Sequence, residues 1–508
     1  MKARALGVAV VTSDRIWAST FHTFGMNVLR AHGDLVGIDR EFEIPDDEEQ
    51  ADLQELAAER AGTTNRERRW SYLRLRRQEV REREALRWAE VYEALKREQN
   101  LLDFDDLIVH TADLFEQNAA VVQAYAKLYP HLLVDEFQDT NAAQFAIVRA
   151  LAEHAKTISV FADDDQAIYR FAGAEAENAR RFVEELDAKE YPLTTNYRCR
   201  EEIVNVANRL IRADDEASGR QMTARYTGGE VRVALFDTIH AEASDLADEI
   251  EELLANGVHP AQIALLARAR FRIQPLVDEL EHRGLPVSNW LGAAYQPEER
   301  RAMGICLSVV RGRLTDRQTK RLFAFLEVDE LEERDPIAIL DAYGHVPATQ
   351  HLAELRELVW AGADLRAIVE TARQAALAAN PELAPAMDAL VETVEGFASY
   401  DPDFTLDHLL GELALGSVGG PPTAVGGIKI ATLQTTKGLQ WPYVYVLGLE
   451  EGKLPSYLAN TEEEIREERR ICFVGVCRAE EHLTLSRITW YSVHRQRPSR
   501  FLDEMGLL

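Results

Sequence analysis

The segment HLLVDEFQDT at 131–140 constrains this chain more than any other stretch, because an apolar run there ends abruptly in Asp135 and Glu136. Such a run fits a buried parallel strand whose C-terminal end carries chemistry. TISVFADDDQ at 157–166 repeats the pattern, and IKIATLQTT at 428–436 and YVYVLGL at 443–449 repeat it far downstream. Helix-forming sequence at 141–154, 201–211 and 241–255 separates runs of this kind. That alternation predicts α/β layers with parallel sheets. From about 316 to 399 the sequence is rich in Leu and Ala with few strand signals, which predicts an inserted helical domain. GSVGGPPTAVGG at 416–427 reads as a linker returning the chain to an α/β unit.

Composition narrows the class. A length of 508 residues suggests about three or four domains. With 46% apolar and 28% charged residues, disordered and fibrous classes are excluded. No stretch approaches the ~20 apolar residues of a membrane span, and the short run at 5–11 carries no cleavage signature. Four cysteines without a CxxC pair argue against a disulfide framework or structural zinc, and point to a reducing compartment, the cytoplasm. The net charge of −29 disfavours a basic coat for nucleic acid but leaves room for a locally basic groove. One segment reverses the sign: residues 60–97 hold 12 basic against six acidic side chains and read as a long helix or helix pair. It is either a solvated face laced with i,i+4 pairs or a nucleic-acid contact.

Strand-end acids suit a particular chemistry. The aspartate can hold Mg²⁺, often through water, and the adjacent glutamate can orient and deprotonate an attacking water. Acidic strand ends are common singly, but the order DEFQDT (135–140), FADDDQAIYRFAGA (161–174), LTTNYRC (193–199), TLQTTKGLQW (432–441) and EERRICFVGVCRAEEHL (467–483) is not. This ordered set resembles the motifs of the UvrD/Rep-type superfamily 1 DNA helicases. STFHTFG (19–25) and LDFDDLI (102–108) resemble further family segments in the right order, so the likeness covers nearly the whole chain.

The resemblance implies two RecA-like α/β domains of the P-loop NTPase type, the first incomplete at its N-terminus, with α-helical insertions. The first would span 1–200 with a short insertion at about 33–100. The second would span 201–315 and 401–508, around an insertion at 316–400. It further implies an ATP- and Mg²⁺-dependent motor moving 3′→5′ on single-stranded DNA, acting at DNA junctions with repair or recombination proteins as partners. On this resemblance Asp135 would bind Mg²⁺, Glu136 would be the general base, and Gln166 would sense the γ-phosphate. Tyr197 would stack on adenine, Arg198 and Arg478 would reach the γ-phosphate, and Gly438 and Gln440 would lie at the nucleotide. Thr20, Phe21, His22, Tyr169, Phe171, Thr432 and Gln434 would contact DNA, with Phe104 a weaker candidate. Flat aromatic faces suit a grip that tolerates any base.

The match departs from the family in places. Phe171 and Ala172 stand where a tryptophan and an arginine are usual, Gln434 and Gln440 replace a histidine and a glutamate, and Cys477 replaces a threonine. No G-x-x-x-x-G-K-[ST] occurs, the only Gly-Lys pair being Gly452-Lys453 followed by Leu454. That loop would supply the phosphate-binding lysine and amide nest. Met1-Lys2-Ala3-Arg4 resembles the middle of the helix that follows it in the family, so the reading is a family member lacking that first part. A misplaced start, a fragment or a degenerate DNA-binding protein without ATPase activity all fit. A nuclease built on Asp163, Asp164 and Asp165 fits poorly, since the motif order already accounts for those acids.

If the basic segment contacts duplex or junction DNA, its arginines release counterions, with a log–log salt slope of about −0.9 per phosphate. Replacing Arg74, Arg76 and Arg77 by Gln should then flatten the slope of junction binding measured by fluorescence anisotropy. An unchanged slope would make the segment ordinary surface.

Overall fold

The computed structural model describes residues 16–45, 47–62, 83–168, 177–214, 219–291, 297–310, 316–331, 335–400 and 427–508, with positions 314, 333, 406, 409, 410 and 413. The basic residues at 63–82, including Arg74, Arg76 and Arg77, lie outside the described residues, as do Tyr169 and Phe171. The chain divides into two compact units: Met1–Val121 with Ala294–Pro422, and Val122–Ala293 with Thr423–Leu508.

The regular elements of the first unit's described residues are helices, with one isolated bridge between Glu43 and Leu101. Helices Phe21–His32, Asp47–Ala61, Arg83–Glu98 and Phe104–Gln117 come from its first segment, and Pro297–Ser308, Asp316–Leu326, Pro347–Trp360, Leu365–Ala379 and Ala384–Tyr400 are the main ones of its second. The Leu/Ala-rich stretch forms one apolar core around Met303, Leu322, Leu352, Ala372 and Leu390. A separate small core joins Leu53, Ala57, Trp88 and Tyr92. Beside it Lys96, 2% exposed, donates to Asp103 Oδ2 at 2.9 Å and Asp106 Oδ2 at 2.6 Å. Asp103 also caps helix Phe104–Gln117 in a reciprocal capping box with Asp106. Three buried charges therefore satisfy one another where the helix begins.

All strands among the described residues belong to the second unit. Strands β1 (His131–Val134) and β2 (Thr157–Val160) pair in parallel. Strands β3 (Thr195–Arg200) and β4 (Thr223–Tyr226) form a second parallel pair. The main sheet holds β5 (Glu230–Thr238), β6 (Ile263–Ala267), β7 (Val287–Leu291), β8 (Ile428–Thr432), β9 (Trp441–Leu447), β10 (Ala479–Tyr491) and β11 (His494–Arg495). Its order is β11-β10-β9-β6-β8-β7, with β5 also on β10, and every pairing is parallel except the β10–β11 hairpin.

Burial explains which strand expectations held. β6, which was not among the expected runs, reads IALLA and is buried at every residue, as the centre of a parallel sheet requires. β8 and β9 flank it and are mostly buried. One face packs on helices Glu201–Arg212 and Glu462–Val476, the other on Ile239–Ala255 and Gln274–His282. The expectation of burial fails for β1 and β2, whose residues alternate between exposed and half-buried. Leu133 is 73% exposed. β1 and β2 pair only with each other, so no third described strand covers their edges.

Arg272 ties the ends of the main sheet together. Its guanidinium, 2% exposed, pairs with Glu242 on helix Ile239–Ala255 and with Glu450 just after β9. Glu450 Oε1 in turn accepts the Ile488 N–H of β10 at 2.7 Å. Burial pushes the Glu242 carboxyl up, and Arg272 opposes the shift. Arg272→Met leaves two buried carboxylates uncompensated, so we expect a loss of roughly 3–5 kcal/mol in urea unfolding. A loss under about 1 kcal/mol would show that the triad is not structural.

Candidate functional site

In the second unit most of the expected nucleotide-facing residues lie on loops at strand ends, and Tyr197 and Arg198 lie within β3. β1 delivers Asp135, whose Oδ1 accepts the Glu136 N–H at 3.0 Å. Glu136 then sits at φ 52°, in the left-handed region that a non-glycine residue adopts at a cost of order 1–3 kcal/mol. That turn starts the short 3₁₀ segment Phe137–Asp139. Glu136 Oε2 accepts from Gln138 Nε2 at 2.7 Å, and Gln138 Oε1 accepts the Asp163 N–H at 3.0 Å. The carboxylate end of β1 is thereby fixed to the loop after β2.

That loop carries Gln166, whose Nε2 donates to Asp163 Oδ2 at 2.6 Å while its Oε1 accepts from Arg478 Nη2 at 3.3 Å. Burial raises the carboxyls of Asp163 and Asp164. Arg478 follows helix Glu462–Val476 directly, in the two-residue turn into β10. Thr461 and Glu464 start that helix with a capping box. Its last turn lies so close to the 433–436 loop that a Cβ on Gly475 would meet Leu433 Cδ2 at 2.3 Å. The approach lets Arg478 join two backbone segments, donating to Val474 O at 2.8 Å on its own helix and to Leu439 O at 3.1 Å and Thr436 O at 3.5 Å on the loop after β8. It is 1% exposed. Burial, reinforced by the charge of Arg198, lowers it to about 10, so it stays protonated at neutral pH.

Arg198 comes from β3, where Asn196 Oδ1 accepts both the Arg198 and Cys199 N–H groups, at 2.9 and 2.8 Å. Its Nε donates to Gln440 Oε1 at 2.8 Å and its Nη1 to Cys477 O at 3.2 Å. Gln440 is the uncharged substitute noted above, and its Nε2 turns to Glu480 Oε1 at 2.5 Å. Tyr197 is 69% exposed. Gly438 takes a φ of 81° in the turn between Lys437 and Leu439. Thr432 ends β8 with its hydroxyl 3.2 Å from that of Thr435, and Gln434 is half-buried on the same loop.

Thr20, Phe21 and His22 belong to the first unit. The Thr20 hydroxyl caps helix Phe21–His32 by accepting the Thr23 N–H at 3.2 Å. His22 meets Phe104 edge-on with ring centroids 5.9 Å apart, and burial lowers its pKa, so it is neutral at neutral pH. It is suited to stacking rather than to holding phosphate by charge.

Sequence reasoning passed over Lys437. Its ammonium, 8% exposed, lies 3.1 Å from Glu136 Oε2, pairs with Asp139, and donates to Gln166 O at 3.1 Å. The adjacent carboxylates therefore repel less than their spacing alone suggests, because this chain supplies a cation. The signal was present as the Lys of TTKGLQ, but nothing in spacing tells that it reaches back nearly three hundred positions. Among the described residues no group of three His, Cys, Asp or Glu side chains could hold a metal ion. Asp135 is exposed at its strand end, with Oδ1 engaged by its neighbour's amide. One carboxylate with phosphate oxygens and water is the usual donor set for Mg²⁺.

The chain is similar to known proteins over nearly its whole length. Residues 1–187 match the UvrD/REP helicase N-terminal domain, and 191–292 with 328–489 match the UvrD-like helicase C-terminal domain. The ATP-dependent DNA helicase PcrA of Staphylococcus epidermidis is 27% identical, over 99% of this chain and 78% of that protein. The ATP-dependent DNA helicase PcrA of Staphylococcus aureus is 28% identical over the same shares. No helix among the described residues is long and apolar enough to cross a membrane.

Burial raises Asp139 above its unfolded value while Lys437 pulls it down. A carboxyl raised in the folded state lowers stability as pH climbs through the window between its unfolded and folded values. Lys437→Met removes the opposing charge, so we expect a neutral-pH loss of about 1–3 kcal/mol. It should shrink as the pH falls through Asp139's raised value, where the carboxyl becomes neutral. A pH-independent loss in urea titrations would contradict the pairing.

Proposed function

The chain belongs to the UvrD/REP helicase family, and from that premise we propose that it is an ATP-dependent DNA helicase or translocase moving 3′→5′ on single-stranded DNA. The observation that carries this reading is the hydrogen bond from Arg478 to Gln166, which joins two motif loops around the Asp135–Glu136 strand end. Arg198 and Arg478 are two cations for a polyphosphate, and the exposed Tyr197 ring is a face for its base. Glu136 would orient and deprotonate the attacking water. Asp135 would hold Mg²⁺, which when bound bridges phosphate oxygens and neutralises developing charge. Thr20, Phe21 and His22, with Thr432 and Gln434, would contact DNA. In this reading the protein works in the cytoplasm at single strands and junctions, with repair or recombination proteins.

A second reading has its own support. The 508 residues contain no G-x-x-x-x-G-K-[ST], so this sequence itself provides no lysine of that loop for the β- and γ-phosphates. It would then act as a DNA-binding chain without hydrolysis. Measuring single-strand-stimulated ATP turnover separates the two. We expect little turnover from the 508 residues alone, which hold no such loop, and the helicase reading stands if turnover is restored once a strand–phosphate-loop–helix segment is joined upstream. Turnover by the chain alone at the rate of an intact helicase would discard the second reading. In the restored protein Glu136→Gln should retain DNA binding and slow hydrolysis by roughly 10²–10⁴-fold. Arg478→Ala should cost on the order of 10³. Translocation should eject streptavidin from a 5′ end faster than from a 3′ end, and the reverse order would overturn the polarity.

A further inference from the structure

Two of the four cysteines flank the arginines just described: Cys199 follows Arg198, and Cys477 precedes Arg478. The Cys199 thiol donates to Cys477 O at 3.6 Å, and the two thiols lie within hydrogen-bonding reach of each other. Both sit in one core, 1% and 5% exposed. The Cys477 carbonyl is shared, since Arg198 Nη1 also donates to it. We propose that Cys199 and Cys477 are a redox-active pair which a small peroxide converts to a disulfide, fixing Arg198 and Arg478 in one arrangement.

The two thiols are unlike, as such chemistry requires. A hydrogen bond from the Cys477 thiol holds the Cys199 thiol below its ordinary value against the opposing effect of burial, and the charges of Arg198 and Arg478 add to it. The hydrogen bond with Cys199 and burial push Cys477 up. Cys199 is thus the attacking thiolate and Cys477 the resolving thiol. Cys199 sulfur attacks one peroxide oxygen, the O–O bond breaks, and hydroxide leaves with the thiol proton as water. The Cys477 sulfur then attacks the sulfenic sulfur, the S–S bond forms, and the sulfenic hydroxyl departs with the second thiol proton as another water. Peroxide is the oxidant, and both sulfurs are oxidised. With its thiol donor gone, the Cys477 carbonyl is left to Arg198, whose guanidinium is held back from an incoming phosphate. That consequence rests on the nucleotide reading above; the bond itself does not.

The test is to treat the whole chain with hydrogen peroxide, block remaining thiols, and map peptides without reductant. We expect a peptide linking residues 199 and 477, with Cys306 and Cys472 unlinked because burial keeps those thiols protonated. Amide hydrogen exchange across 195–200 should slow, and affinity for ATP should fall about tenfold, within the usual range for coupled sites. Dithiothreitol should reverse both. Cys199→Ser, and separately Cys477→Thr, should abolish the response while keeping native circular dichroism. Absence of the linked peptide, or its formation with unchanged exchange, overturns the proposal, as does unchanged ATP affinity in a linked protein. A reduced protein that binds no ATP counts against the nucleotide reading, while the linked peptide and the exchange still decide the pair.

Discussion

A buried guanidinium organises the loops of the second unit. Arg478 gives up its hydration, and three backbone carbonyls and the Gln166 amide replace it. A charge in that position is tolerable only because the acceptors are fixed beforehand by the Gly475 contact and by the turn from helix into β10. Removing the helix end, the loop after β8 or the Gln166 loop would leave the cation short of acceptors, so their positions are coupled through it. Arg198 adds a second positive charge nearby, and its repulsion lowers the Arg478 pKa. Two like charges held this way repel, a cost that an anion between them would relieve.

Lys437 plays the complementary part on the acidic side. Asp139 is partly withdrawn from water and Glu136 is not, yet both face the same ammonium. The lysine also donates to the Gln166 carbonyl, while Arg478 donates to that residue's side-chain oxygen. Gln166 is therefore held at both ends, by a cation bound to the strand-end carboxylates and by a cation bound to the opposite loops. Its backbone and side chain sense different neighbours.

Much of this was legible from the sequence, but unevenly. β8 and β9 are apolar runs in the middle of a sheet, where burial on both faces leaves no ambiguity, whereas the short run of β6 between them was missed. β1 and β2 carry the same kind of run and are half-exposed, because burial depends on neighbouring strands and layers that a local pattern does not reveal. Arg198, Gln166 and Arg478 were found as members of ordered motifs. Lys437 and the contact between Cys199 and Cys477 were not, since each depends on long-range closeness between motifs rather than on residue type within one. The Cys477 departure from the family's threonine takes its meaning from Cys199, whose thiol donates to the Cys477 carbonyl.

The most direct test of the central claim is a double-mutant cycle on Gln166 and Arg478, read as equilibrium affinity for a fluorescent ATP analogue. If the pair acts as a unit, Gln166→Ala and Arg478→Ala will each weaken binding, and the double variant will lose less than their sum by about 0.5–3 kcal/mol. Additive losses would contradict the account, because they would mean that the glutamine and the buried arginine reach the nucleotide independently.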